Sequence, residues 1–353
     1  IVKKSYRLIN LNQKHMNPIS GTDAYKLGHW KGINPLLDGG KSYMEPRAGA
    51  RYPELCYVGG RMIIGDHFTE KITETMIKKM ERRCALTFDR DDMFNLEVWN
   101  KVKGLGYLPI RIKAVKEGTI VPNGNVFLTF EPTEEWFAKT YNSLESTLMH
   151  IRYPTDIATR AMNIKRGILP SFLKSSDVTE YVLPFAVNDF GYRGVTGSQA
   201  AERGGTGFMV HFQGSDNTPA MEYLEHHYGL SDHLKSVWAT EHSVQLSFPN
   251  DLEYVLHQLR TADLKQFVSI VMDGRDQDAF AKEVVSHPEV RELVKLRAAA
   301  GGRTIWRPDS GKPITNVCKY SDIIGGFSGF SVNTKGYKVL NDSQGLIQGD
   351  GMN

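Results

Sequence analysis

Phe267-Val268-Ser269-Ile270-Val271-Met272 is an apolar run of strand length that stops at the polar Asp273-Gly274. The same texture recurs from residue 180 onward. Glu180-Tyr181-Val182-Leu183-Pro184-Phe185-Ala186-Val187 reads as a strand leading into Asn188-Asp189-Phe190-Gly191-Tyr192-Arg193-Gly194. Phe208–Phe212 runs out to Ser215-Asp216, and Val237-Trp238-Ala239 to Glu241-His242. Thr304-Ile305-Trp306 ends at Arg307-Pro308-Asp309-Ser310-Gly311, and Leu346-Ile347 at Gly349-Asp350-Gly351. Helices are expected between these runs over 218–228, 250–262 and 277–299. Repeated strand–helix units imply a parallel sheet. In barrels of such units the loops after the strands converge on one face. The expected fold class is therefore α/β, with Phe190, Arg193, Asp216, His242, Asp273, Arg307, Asp309 and Asp350 delivered to one mouth. A single Asp after a strand is ordinarily a helix cap. Polar residues after six strands in series weaken that reading, though it still accounts for some of them.

The first half has a different texture. Residues 1–16 are polar and basic and read as an N-terminal arm. Residues 17–178 read as an α+β domain, and 179–353 as the barrel. A helical pattern covers 66–105, with Ile72, Met76 and Met80 at helical spacing. Ile110–Val115 and Val126–Phe130 form a small β unit, and Asn123-Gly124 between them is a hairpin-type turn signal. An amphipathic helix is expected over 133–151, with Phe137, Tyr141, Leu144, Leu148 and Ile151 on one stripe and Pro154 closing it. The pair His226-His227 reads as part of a solvated face, because helical neighbours make a poor chelate.

Bulk properties narrow the partners. Lysine and arginine number 43 and acidic residues 40, for a net charge of +3. That balance is too slight to imply nucleic acid or an anionic membrane surface. Cys56, Cys84 and Cys318 are odd in number and scattered, so neither a disulfide framework nor a cysteine-rich zinc site is indicated. A reducing cytoplasm is the expected setting. No apolar run approaches bilayer-spanning length. The chain begins at Ile1 and stops at Asn353, directly after an active-site-like turn, so both ends read as incomplete.

The residues at the strand ends combine carboxylates, guanidinium groups and flat aromatics. Carboxylates suit sugar hydroxyls or Mg²⁺. Arginine forks suit phosphate or pyrophosphate. Phe190 and Tyr25 suit a planar heterocycle. Such a set describes a nucleotide-forming site built around a phosphorylated ribose and an aromatic base.

Six runs then become specific in combination: Thr22-Asp23-Ala24-Tyr25-Lys26, Asp189–Gly194, Phe212-Gln213-Gly214-Ser215-Asp216, Glu241-His242-Ser243, Arg307–Gly311 and Ile347–Gly351. In order and approximate spacing they resemble the nicotinamide phosphoribosyltransferases. The resemblance implies an irregular parallel α/β barrel of the type II phosphoribosyltransferase kind, with an α+β N-terminal domain. It implies a homodimer with its active sites at the interface. The implied reaction joins nicotinamide to phosphoribosyl pyrophosphate, giving nicotinamide mononucleotide and pyrophosphate, in NAD salvage. Mg²⁺ is the implied cofactor and ATP a coupling substrate.

Carried over motif by motif, Phe190 would stack on one face of nicotinamide, and Tyr25 of a second copy on the other. Asp216 would accept from the carboxamide, and would repel the carboxylate of nicotinate. Arg193 and Arg47 would bind phosphate oxygens. Arg307 would sit beside carboxamide and ribose, Asp309 at the ribose hydroxyls, and Asp273 at ribose or Mg²⁺. Gly349 and Asp350 would line the ribose-phosphate end. His242 resembles the phosphorylatable histidine of the family. Arg275 departs from the family pattern, which usually has an uncharged aromatic there. The resemblance also implies a glycine-rich phosphate loop beyond Asn353, so poor activity is expected of these 353 residues alone. Three other readings stay open: a nicotinate phosphoribosyltransferase, a non-catalytic nucleotide-binding homologue, and a metal-dependent barrel hydrolase.

Overall fold

A computed structural model describes residues 17–350. The arm expected over 1–16 lies outside the described residues, as do 351–353. The described chain divides into two compact units, 17–167 with 184–234, and 168–183 with 235–350.

The first unit is α+β. Strands β1 (Ser42–Met44), β2 (Glu54–Cys56), β3 (Ile110–Ala114), β4 (Ile120–Pro122) and β5 (Leu128–Pro132) form two antiparallel sheets. One has the order β1-β5-β3, with Ile112 opposite Phe130, and the other pairs β2 with β4. The expected pairing of the 110 and 128 strands is present, but between them the chain forms β4, which pairs with β2. Asn123-Gly124 therefore follows β4 and is held by the Pro53 and Pro46 carbonyls rather than joining β3 to β5.

The helical stretch expected over 66–105 is two helices after a shorter one, Gly60–His67. Thr73 caps Glu74–Phe88 and Asn95 caps Leu96–Leu105, each side chain accepting from a first-turn amide. Ile77, Met80 and Cys84 of the first pack in one core with Val98, Trp99 and Val102 of the second. Full burial of each large apolar side chain contributes about 1.5–3 kcal/mol.

The expected helix over 133–151 differs in form. A series of 3₁₀ and short α turns runs from Glu135 to Ile151, and only then does a continuous helix, Arg152–Ser175, begin. The stripe Phe137, Tyr141, Leu144, Leu148 and Ile151 is nonetheless buried throughout. Steps of three and four residues suit both kinds of turn. Pro154 opens the long helix instead of closing the stripe, because a missing N–H costs nothing in a first turn.

Two strand expectations are corrected. Thr179–Val182 is a helical turn, Leu183–Phe185 a 3₁₀ turn, and the strand β6 is only Asn188–Asp189. The helix Ser198–Phe208 likewise runs into the apolar stretch expected as a strand, and β7 is Gly214–Ser215. In the second run Met209 and Phe212 are buried at and just beyond the helix end without pairing, whereas of the first run only Leu183 is buried and Tyr181 and Phe185 are exposed. β6 and β7 are parallel, with Asp189 opposite Ser215.

The second unit carries the parallel sheet. β8 (Trp238–Ala239), β9 (Phe267–Val271), β10 (Arg303–Arg307) and β13 (Gln344–Leu346) lie in the order β13-β10-β9-β8, every pair parallel. Between β10 and β13 come the helix Pro313–Ser328 and an antiparallel hairpin, β11 (Phe330–Val332) with β12 (Lys338–Leu340). Neither was expected. The helices Asp251–Thr261 and Pro288–Ala299 pack on Val268, Ile270, Val271 and Trp306, all fully buried. The expected helix 277–299 is interrupted by a π turn over Phe280–Val284 and restarts at Pro288, a favoured first helical position. Arg297 is fully buried and donates to the carbonyls of Leu259, Ala262, Asp263 and Gln266 at 2.7–3.3 Å.

Candidate active site

Parallel order puts the C-terminal ends of β8, β9, β10 and β13 on the same edge of one sheet. After β8 the chain turns into the short helix His242–Leu246. His242 Nε2 lies 3.0 Å from Asp273 Oδ1, the residue two beyond β9, and 3.9 Å from Asp309 Oδ2, the residue two beyond β10. The Asp273 side chain is 6% exposed and that of His242 is 44% exposed, so the carboxylate is sheltered and the imidazole keeps an open side. A carboxylate in that position orients the ring by accepting from its N–H.

Arg307 is the last residue of β10. Its Nη2 donates to the Thr240 carbonyl. Thr240 is buried and is itself held from below, its Oγ1 2.5 Å from the Tyr254 hydroxyl and accepting from the Val271 amide at 3.0 Å. Burial pushes the Tyr254 phenol well above its usual range, so it stays neutral under the arginine. Gly349 donates its amide to the Pro308 carbonyl at 2.9 Å. A Cβ there would collide with Asp309 Oδ1, so glycine is what lets the two loops close on each other. Asp350 follows on the exposed surface.

Among the described residues, His242, Asp273 and Asp309 are the group able to surround a metal ion, with one donor atom from each within 4.8 Å of the others. The two carboxylates fit a hard divalent cation such as Mg²⁺, which binds through one or two carboxylates and substrate phosphates. The imidazole is a poorer ligand for that ion.

In the first unit, the β6–β7 pairing sets the next residues of the two strands, Phe190 and Asp216, at neighbouring strand ends. The Asp216 amide donates to the Asp189 carbonyl at 3.0 Å. Phe190 is 41% exposed, and Arg193 and Asp216 are exposed too. The cap of the helix Thr218–Tyr228 is Asn217, whose Oδ1 accepts from the Ala220 amide at 3.3 Å. The N-cap of that helix is thus Asn217 and not Asp216. Two framework residues went unrecognised in the sequence. Asp189 accepts from the Gly191 amide at 2.8 Å and from Asn217 Nδ2 at 3.1 Å, which fixes the turn that carries Phe190. Only Asp189's place in the quoted motif pointed to it.

Tyr25 stands on a 3₁₀ turn, Ala24–Gly28, and is 62% exposed. Beside it a cavity of about 480 Å³ is lined by Thr22, Asp23, Lys26, Glu145 and His150. Lys26 anchors that turn through Glu145 at 2.5 Å. Arg47 is exposed on the loop after β1.

The His226-His227 reading needs correction. His226 is exposed, but His227 is buried, with Nε2 3.1 Å from Asp66 Oδ1. Asp66 also meets Arg203 Nη2 at 3.2 Å and the Tyr223 hydroxyl. Burial holds the His227 pKa below its usual value.

Comparison with known proteins places the chain in a family. Residues 17–112 match the family described as nicotinamide phosphoribosyltransferase, N-terminal domain, and 185–353 match the nicotinate phosphoribosyltransferase family. Among solved structures, human nicotinic acid phosphoribosyltransferase superposes with a TM-score of 0.55 at 15% identity, covering 86% of this chain and 63% of that one. The nicotinate-nucleotide pyrophosphorylase of Pyrococcus furiosus superposes at 0.51 and 13% identity, covering 97% and 74%. At such identities they show a shared α/β fold alone. A nicotinamide phosphoribosyltransferase of Acinetobacter baylyi is 31% identical over 294 residues, 78% of this chain and 58% of the relative. One of Xanthomonas campestris pv. campestris is 32% identical over 342 residues, which span 96% of this chain and 71% of the relative. With that identity sustained across both units, the chain belongs to the nicotinamide phosphoribosyltransferase family.

Proposed function

We propose that the protein joins nicotinamide to phosphoribosyl pyrophosphate, releasing pyrophosphate and forming nicotinamide mononucleotide for NAD salvage. The observation that carries this reading is the His242–Asp273–Asp309 group at the ends of parallel strands, with Arg307 and Gly349 fixed around it. The pyridine nitrogen is already a nucleophile and needs no general base. It forms the N–C1 bond as the C1–O bond breaks, and the electron pair leaves with pyrophosphate. Phe190, with Tyr25 of a second copy in a homodimer, holds the ring flat for that attack. Asp216 accepts from the carboxamide N–H. Arg193 and Arg47 take phosphate oxygens, and Asp309 the ribose hydroxyls, with Gly349 and Asp350 beside the ribose phosphate. Positioning and charge stabilisation supply the rate. Mg²⁺ held by Asp273 and Asp309 would neutralise charge on the leaving pyrophosphate.

ATP coupling goes through His242. Asp273 accepts a hydrogen bond from Nε2–H, which leaves the Nδ1 lone pair to form the N–P bond with the γ-phosphoryl group of ATP as the γP–O bond breaks and ADP leaves. Nicotinate is the competing substrate, since one matched family and both superposed structures carry its name. The exposed Asp216 carboxylate favours the amide. Competition between equal amounts of the two bases, read by mass spectrometry of the products, tests the choice. Excess nicotinamide mononucleotide supports it, and excess nicotinate mononucleotide overturns it.

A further inference from the structure

Arg275 follows Asp273 by two residues on the loop after β9, and its side chain has an acceptor for each part of its fork. Nη1 donates to Asp251 Oδ1 at 2.6 Å and to the Gln245 carbonyl at 3.4 Å. Nη2 donates to the Phe248 carbonyl at 2.7 Å. Those two carbonyls lie at and just beyond the C-terminal end of the helix His242–Leu246. Between them in sequence, the Gly274 amide donates to Gln245 Oε1 at 2.8 Å. Gln245 is fully buried, and its Nε2 donates to the same Asp251 oxygen at 2.9 Å. A Cβ on Gly274 would collide with Gln245 Oε1, so the contact exists only because that residue is glycine.

Three consecutive residues thus grip one helix along its length. Asp273 holds His242 at the first residue, Gly274 holds Gln245, and Arg275 closes the carbonyl end. The helix has five residues and no side-chain N-cap. A helix so short has no stability of its own, so its rotation, and with it the aim of the imidazole, is set from outside. A cation is also well placed at helix C-terminal carbonyls.

We propose that Arg275 is a positioning residue that fixes His242 against Asp273, and so sets which imidazole nitrogen is presented for phosphoryl transfer. The second half rests on His242 being the phosphoryl acceptor. A lysine can satisfy only part of this acceptor set, since its ammonium is a point donor and not a planar fork.

The test uses the full-length protein as wild type, Arg275→Met and Arg275→Lys, each checked for folding by its thermal midpoint. Two rates are measured: phosphoryl label taken from γ-labelled ATP, and carbethoxylation of His242 by diethyl pyrocarbonate, followed by peptide mass spectrometry. Arg275→Met is expected to slow labelling by about tenfold or more and to speed carbethoxylation, because Nε2 comes away from Asp273. Arg275→Lys falls between. Unchanged rates in folded Arg275→Met overturn the proposal. If that variant does not fold, Arg275→Lys decides, and wild-type rates in it overturn the proposal equally. If the wild type takes no label at His242 while carbethoxylation still responds to Arg275, the phosphohistidine reading fails and the positioning role stands.

Discussion

His242 Nε2 sits 3.0 Å from Asp273 Oδ1 and 3.9 Å from Asp309 Oδ2, so the imidazole belongs to the first carboxylate and only borders the second. The two aspartates should therefore separate in their effects. Asp273→Asn, which cannot accept the ring proton as a carboxylate does, should cut ATP-dependent labelling of His242 by about a hundredfold or more. Asp309→Asn should label nearly normally and instead raise the KM for phosphoribosyl pyrophosphate. Equal losses of labelling in both variants would contradict the assignment.

Asp216 sets the choice between amide and acid. Asp216→Asn removes a carboxylate that repels nicotinate, and the kcat/KM ratio of nicotinamide to nicotinate should fall by about tenfold or more, worth about 1.4 kcal/mol or above. Asn217 still caps the helix Thr218–Tyr228, so the thermal midpoint should hardly move. An unchanged ratio would remove Asp216 from the specificity site.

Arg297 is a stability residue remote in role from the chemistry. Its charge is buried, and its two terminal nitrogens, though not Nε, donate to four backbone carbonyls at the end of the helix Asp251–Thr261 and on the loop leading to β9. Arg297→Met takes the guanidinium donor from all four, of which the Asp263 carbonyl keeps the Gln266 amide, and should cost about 3 kcal/mol or more in urea unfolding. A loss below about 1 kcal/mol would mean that water replaces the guanidinium.

His211 gives a pH signature. Burial, with Lys165 and Arg166 nearby, lowers its pKa to about 4. The folded state thus keeps it neutral where the unfolded chain, with a pKa of about 6.5, would bind a proton. Its contribution is fully present above pH 6.5 and is lost as pH falls towards 4. Discounted for partial exposure, the effect is about 1–2 kcal/mol. Urea midpoints of wild type and His211→Gln should differ in pH dependence over that window, the wild type losing more stability on acidification. Parallel curves would contradict it.

The order of strand-end residues was legible because β9 and β10 are the two central strands of the sheet, each paired on both sides, and their polar ends fall at fixed offsets. His242, Asp273 and Asp309 were found that way. The run 208–212 misled because its apolar character records burial at a helix end and not pairing, as Phe212 shows, and 180–187 misled because its apolar residues from Tyr181 to Phe185 stand on helical turns, with Tyr181 and Phe185 exposed. The 133–151 stripe hid its 3₁₀ turns because steps of three and four residues satisfy both helices. Thr240, Tyr254 and Asn217 went unseen, and Asp189 stood only as a member of its motif, since each acts through a hydrogen bond whose partner is 14 to 31 residues away. His227 was misread for a like reason: Asp66, which meets it in the fold, lies far upstream.

The most direct test is a mass-spectrometric assay of the full-length protein with nicotinamide, phosphoribosyl pyrophosphate and Mg²⁺, with and without ATP, for wild type and His242→Asn. The expected result is nicotinamide mononucleotide from the wild type, increased by ATP, and formation by His242→Asn that no longer responds to ATP. No nicotinamide mononucleotide from folded wild type, or an ATP response that survives in His242→Asn, would contradict the proposed function.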